Sequence, residues 1–164
     1  MMPSGVDVSK KLSFPENPYH REIKSPEKLD GKFSESASPA SILIVDDSVD
    51  CRRILRIAIE REGFFCVEAE DGRAALKLFQ ETSIDFIITD FQMPNMNGCE
   101  FLEVLSRGAD SCPPAVMITG NLADSVRIRA MHAGALDVLS KPFEQKKILK
   151  IVREVVHRRQ KAFH

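Results

Sequence analysis

Four places in the sequence carry residue types able to handle a charged group. They are Asp46-Asp47, Asp90, Thr119 and Lys141-Pro142. Each stands at or just after the end of a short apolar run: SILIV, DFIIT, PAVMI and ALDVL. Three carboxylates gathered in one pocket repel one another, so they need a cation or a raised pKa. Hard oxygen ligands with open positions suit Mg²⁺, which keeps waters and is held by one or two carboxylates together with phosphate. A lysine opposite supplies a fixed positive charge that pairs with a phosphoryl oxygen. A threonine hydroxyl can donate a hydrogen bond to the same group. Acids also end strands and cap helices for structural reasons alone, and any one of these residues in isolation reads that way. All five at run ends, in this order, read as one site.

The site exists only if the runs are neighbouring strands. Between them lie helical patterns. Ser48 can cap a helix over Val49–Glu62 with Cys51, Leu55, Ala58 and Ile59 inward and Arg52, Arg53 and Arg56 opposite, and Gly63 stops it. FFCVEA at 64–69 reads as a second strand, and Asp71-Gly72 opens a helix that ends near Thr82. A loop with Pro94 and Gly98 leads into a helix over Phe101, Leu102 and Leu105. Leu122–Ala133 reads as a helix with Val126, Ala130 and Met131 on one side and Arg127 and Arg129 on the other, stopped by Gly134. A final helix, Phe143–Arg159, is built on Ile148, Leu149, Val152, Val155 and Val156. Five strands (41–45, 64–69, 85–90, 114–120 and 135–139) thus alternate with five helices. Strands apolar on both faces need cover on both sides, which parallel sheets obtain from crossover helices. Right-handed crossovers then give a doubly wound α/β sheet, with ligand sites beyond the carboxyl ends of its strands.

Composition narrows the function. The chain has 164 residues, 23 Lys+Arg against 24 Asp+Glu and 43% apolar residues. A net charge of −1 gives no bulk electrostatic case for nucleic acid or an anionic membrane. No apolar run approaches the ~20 residues of a membrane helix. The amino-terminal MMPSGVDVSKKLS has no apolar core of a secretory signal, so a cytoplasmic location is expected. Cys51, Cys66, Cys99 and Cys112 match no zinc or CxxC spacing and read as mostly buried small hydrophobes. His20, His132, His157 and His164 show no ligand spacing. Residues 1–40 hold five of the nine prolines and only 12 apolar residues. They read as a disordered or loosely ordered extension, with a docking peptide anchored by Phe14, Tyr19, Ile23, Leu29 and Phe33 as the alternative.

From 41 to about 160 the sequence resembles the receiver domain of two-component response regulators. The residues that carry the resemblance are Asp46-Asp47, DFQMPNMNG from Asp90 to Gly98, Thr119-Gly120 and Lys141-Pro142-Phe143. The resemblance implies a flavodoxin-like receiver domain over 41–161, with strand order 2-1-3-4-5. It implies that Asp90 is the phosphoacceptor, attacking the phosphohistidine of a sensor histidine kinase or histidine phosphotransfer protein. Asp46, Asp47, Asp90 and the Gln92 backbone carbonyl would hold Mg²⁺ (or Mn²⁺). Lys141 would contact the phosphoryl group, Thr119 would turn towards it, and Gly120 would leave it room. Gln92 and Asn121 match positions that tune the lifetime of the acyl phosphate. The Lys141–Pro142 bond is expected to be cis.

One departure stands out. The family often carries Tyr or Phe three residues before the lysine, where this chain has Val138. Valine has no ring to flip, so either the signal travels by the loop after Thr119 or the helix at 122–133, or Val138 merely packs and switching is unaffected. The chain is expected to act as a stand-alone receiver, not a kinase, whose output is contact with a downstream protein. Self-association through the helix at 122–133, the strand at 135–139 and the basic last helix is the homodimer the resemblance implies. The rival reading is a constitutive docking module that works without phosphorylation. A phosphatase with an aspartyl-phosphate intermediate would need a second Asp two residues past the nucleophile, where Gln92 stands.

Overall fold

The computed structural model describes residues 39–108 and 112–162. Of the expected loose extension at 1–40, residues 1–38 with its five anchor residues lie outside the described residues, as do His20 and His164. Ala40, however, is buried in the core and its carbonyl accepts from the Phe65 N–H at 2.9 Å, so the domain begins before Ser41. In chain order the elements are β1 (Ser41–Val45), α1 (Val49–Glu60), β2 (Phe65–Ala69), α2 (Gly72–Glu81), β3 (Phe86–Asp90), α3 (Gly98–Gly108), β4 (Ala115–Thr119), α4 (Asp124–His132), β5 (Ala135–Ser140) and α5 (Gln145–Ala162). The five strands form one parallel sheet in the order β2-β1-β3-β4-β5. This is the doubly wound arrangement that the alternation of strands and helices predicts.

The interior strands are apolar on both faces because both faces are covered. Leu43, Val45, Ile87 and Met117 pack with Ala75, Phe101, Leu102, Leu105 and Ala130 of α2, α3 and α4. On the other face Ile42, Ile44, Phe86, Ile88, Val116 and Ile118 pack with Leu55 and Ile59 of α1 and with Ile148, Val152 and Val156 of α5. Each fully buried aliphatic side chain contributes roughly 1.5–3 kcal/mol. β2 lies at an edge, and Phe65 is correspondingly exposed. Ser48 caps α1 by accepting from the Cys51 N–H at 3.3 Å. Gly63 and Gly134, just after α1 and α4, have φ of 85° and 107°, a backbone that excludes most other residues.

Several expectations need correction. α4 is not a two-sided helix: Ala130 is its one buried residue, Val126 is half-buried and Met131 is exposed. It begins at Asp124 rather than Leu122, and no side chain caps it. Its apolar residues follow a helical period, but the neighbouring elements cover only a narrow strip of it. α1 ends at Glu60, before Gly63, and α5 begins at Gln145, after Phe143. The cysteines are not mostly buried: Cys99 is, Cys51 and Cys66 are half-buried, and Cys112 is exposed. Among the described residues no helix is long and apolar enough to cross a membrane.

Candidate functional site

Strand register gathers the charged residues. Val45 pairs with Thr89, so Asp46 and Asp90 end neighbouring strands side by side. Asp90 pairs with Ile118, and Thr119 with Ser140, which brings Lys141 to the same end. Side chains alternate across a sheet. Asp46 continues the face of Ile42 and Ile44, and Asp90 that of Phe86 and Ile88. Lys141 continues that of Leu139. Thr119 follows Met117 on the opposite face.

The Lys141 ammonium donates to Asp46 Oδ2 at 2.8 Å and to Asp90 Oδ2 at 2.6 Å. Its backbone N–H donates to the Thr119 carbonyl at 2.7 Å, and the Lys141–Pro142 bond is cis. Asp46 Oδ1 accepts from the Ser48 N–H at 2.8 Å, and Asp90 Oδ1 from the Gln92 N–H at 3.1 Å. Asp46 and Asp90 are buried and Asp47 is exposed. Each of the three offers an oxygen within 4.8 Å of the others. Burial pushes the Asp90 carboxyl above the ordinary carboxylate range against the pull of Lys141 and the Gln92 N–H, and the Asp46 charge adds to the rise. Burial would lower the Lys141 ammonium, but its bonds to Asp46 and Asp90 outweigh that and hold it above ordinary lysine. A hard-oxygen donor set with one member facing solvent fits a divalent cation that keeps part of its water shell.

Some expected site residues stand apart from this cluster. The Thr119 hydroxyl accepts from the Asn121 N–H and donates to the Asn121 carbonyl, both at 3.1 Å. Asn121 Oδ1 accepts from the Ala123 N–H, so that side chain is engaged within its own loop. A Cβ at Gly120 would meet no atom within 4 Å, so the space beside it is open. Gln92 is exposed. Val138 is buried and packs with Met117 and Ala130.

Further residues shape the site in ways that the sequence motifs do not show. The Arg52 guanidinium donates to the Asp46 carbonyl and lies 3.7 Å from Glu68, tying the end of β1 to β2. Arg52 thus faces partly inward instead of forming a solvated face. Asp71 accepts from the Ala74 N–H at 2.8 Å and from Asn95 Nδ2 at 2.7 Å. A Cβ at Gly98 would lie 2.2 Å from the Asp90 carbonyl oxygen, so no other residue permits that approach. An Asp-Gly pair at a helix start signals a cap, but only the fold reveals what else Asp71 holds.

Comparison with known proteins agrees with this architecture. The model of the response regulator receiver domain family matches residues 42–153. The phosphate regulon transcriptional regulatory protein PhoB of Klebsiella pneumoniae is 33% identical over 118 residues, 71% of this chain and 52% of that protein. The transcriptional regulatory protein CpxR of Escherichia coli (strain K12) is 33% identical over 117 residues, 71% of this chain and 49% of that one. The chain therefore spans about half the length of these relatives. The solved structure of the chemotaxis response regulator CheY4 of Vibrio cholerae aligns with a TM-score of 0.67 at 31% identity, over 72% of this chain and 99% of that one. With that match, and with its acids and lysine gathered at the carboxyl end of the sheet, the chain belongs to the response regulator receiver domain family, signalling domains of two-component systems that are not kinases.

Proposed function

We propose that this receiver is a phosphorylation switch with Asp90 as phosphoacceptor. An Asp90 carboxylate oxygen attacks the phosphorus of a phosphohistidine on a sensor histidine kinase or phosphotransfer protein. The P–N bond breaks, the imidazole leaves with that electron pair, and an acyl phosphate forms. Asp46, Asp47, Asp90 and the Gln92 carbonyl would hold Mg²⁺ or Mn²⁺. The ion, when bound, neutralises charge on the transferring group. Lys141 lies against Asp90 and is placed to pair with a phosphoryl oxygen. Thr119 would exchange its bonds to Asn121 for one to that group. With a valine at 138 the signal runs through the Thr119–Asn121 loop into α4, the helix with the fewest buried residues among those described. Gln92, exposed beside Asp90, tunes access of water to the acyl phosphate and so the domain's own dephosphorylation. Asn121 tunes it through the loop it braces.

The observation that carries this reading is the Lys141 ammonium shared between Asp46 and Asp90. Output is by protein contact. Leu122, Ile128 and Met131 around α4 and Leu136 on β5 are all more than 40% exposed, a surface suited to a downstream protein or a second copy. We take 41–161 as the functional unit and the residues before it as an extension; because Ala40 packs in the core, the deletion that tests this is of 1–38, which should leave phosphoryl transfer unchanged.

The test is intact mass after incubation with Mg²⁺ and a small phosphodonor, repeated with a phosphorylated kinase or phosphotransfer partner, beside Asp90→Asn. One added phosphoryl group in the wild type alone is expected. Failure with both donors would leave the constitutive docking module, the reading that the ringless Val138 keeps open.

A further inference from the structure

We propose that Asp71 and Asn95 are a positioning pair. They fix the β3–α3 loop so that the Gln92 carbonyl faces the cation site formed by Asp46, Asp47 and Asp90. The inference rests on the metal-dependent reading above.

A side chain reaches a metal by choosing a rotamer. A backbone carbonyl reaches it only if its whole loop is held, so a loop that supplies one needs braces of its own. Residues 91–97 are held at their ends: the Phe91 N–H donates to the Ile118 carbonyl at 2.8 Å and the Gly98 N–H to the Phe91 carbonyl at 3.1 Å. Their middle is held by the turn between β2 and α2. Asn95 Nδ2 donates to Asp71 Oδ2 at 2.7 Å, and the Gly72 N–H donates to the Met96 carbonyl at 3.3 Å. The two segments are so close that a Cβ at Gly72 would lie 2.7 Å from Met96 Cγ and 3.0 Å from its carbonyl oxygen.

Both residue types are better explained by the brace than by local structure. Capping α2 takes one oxygen, which Asp71 supplies to the Ala74 N–H. A serine or threonine would cap as well. Only a carboxylate has a second oxygen for Asn95, and Asp71 is 7% exposed, so that oxygen is poorly served by water. Asn95 sits at φ 64°, in the left-handed region. Glycine is the least strained residue there, and asparagine is the side chain that tolerates it while carrying an amide.

Two substitutions separate the brace from stability. Asn95→Gly removes the amide but suits the positive φ. Asp71→Ser keeps a capping oxygen but cannot reach Asn95. Mg²⁺ affinity of the full chain, measured by titration calorimetry with MgCl₂ alone, is expected to fall about tenfold in each, the order found for groups that orient metal ligands. The thermal midpoint of Asn95→Gly should hold or rise. Phosphorylation of Asn95→Gly by a small phosphodonor should need more Mg²⁺ for half-maximal rate and return towards the wild-type rate at saturation. Wild-type Mg²⁺ affinity in Asn95→Gly would overturn the pair's role, as would weaker binding that simply follows a fall in its thermal midpoint. If the wild type itself binds no Mg²⁺, the metal-dependent reading fails and the pair's role with it. If the wild type binds and the variants match it, only the pair's role fails.

Discussion

At the end of the sheet three carboxylates gather around one ammonium that bridges only two of them, Asp46 and Asp90, and that imbalance sets the chemistry of the individual residues. Lys141 neutralises one charge of Asp46, Asp47 and Asp90, so the cluster retains negative charge for a divalent cation. These residues were legible in the sequence because each terminates an apolar run, and parallel strands put run ends together. The roles of Arg52, Asp71 and Asn95 were not, although Asp71 reads as a helix start and Asn95 lies in the DFQMPNMNG stretch, because their partners are distant along the chain: Asn95 is 24 residues from Asp71. Asp71 also carries a pH signature. Its bond from the Ala74 N–H, then the one from Asn95, holds its carboxyl below the ordinary 3.8 against the opposing effect of burial. A depressed carboxyl stabilises the fold above its unfolded pKa and loses that contribution as pH falls through its folded value. Asp71→Asn should therefore unfold at lower urea than the wild type at pH 7, and the gap should narrow below about pH 4. A constant gap across paired urea titrations from pH 7 to 3 would count against the charge as the cause.

Among the elements, the β3–α3 connection is tightly specified. Helix α3 begins against the Asp90 backbone, and glycine at 98 is what allows it. Gly98→Ala places a methyl carbon against backbone that cannot rotate away. The expected cost is about 1–3 kcal/mol in chemical denaturation, with slower phosphorylation at Asp90, because the shift falls on the carbonyl of the proposed phosphoacceptor. Wild-type stability and rate together would show that the loop is softer than its contacts indicate. Helix α4 is the opposite case. Its periodicity announced a helix, but sequence cannot say which face a neighbour covers, and Ile128 and Met131 point to solvent. Strand β2 shows the same limit: its composition marks a strand, while its edge position follows from topology.

For the molecule as a whole, class, element order and site location were readable from sequence, since period and run length encode burial. The order β2-β1-β3-β4-β5 came from resemblance, because alternation alone fits more than one winding. The sheet divides the core into two layers that share strands but not contacts. Ile44 and Ile88 are register partners in one layer, while Ile87 belongs to the other. Each Ile→Val change should cost about 0.5–1.5 kcal/mol. Ile44→Val with Ile87→Val should add to within about 0.5 kcal/mol, whereas Ile44→Val with Ile88→Val should depart from the sum; urea titrations of the singles and both doubles decide it, and an Ile44–Ile87 double that departs from the sum as far as the Ile44–Ile88 double would mean the layers are not independent. The Lys141 bridges lend the fold a timetable as well. They join residues 95 and 51 positions apart. A chain growing from its amino end therefore displays all three carboxylates well before their ammonium emerges. Lys141 directly follows β5, so the pocket has its counter-ion only with β5 in place beside β4, and the finished sheet and the finished site depend on the same pairing.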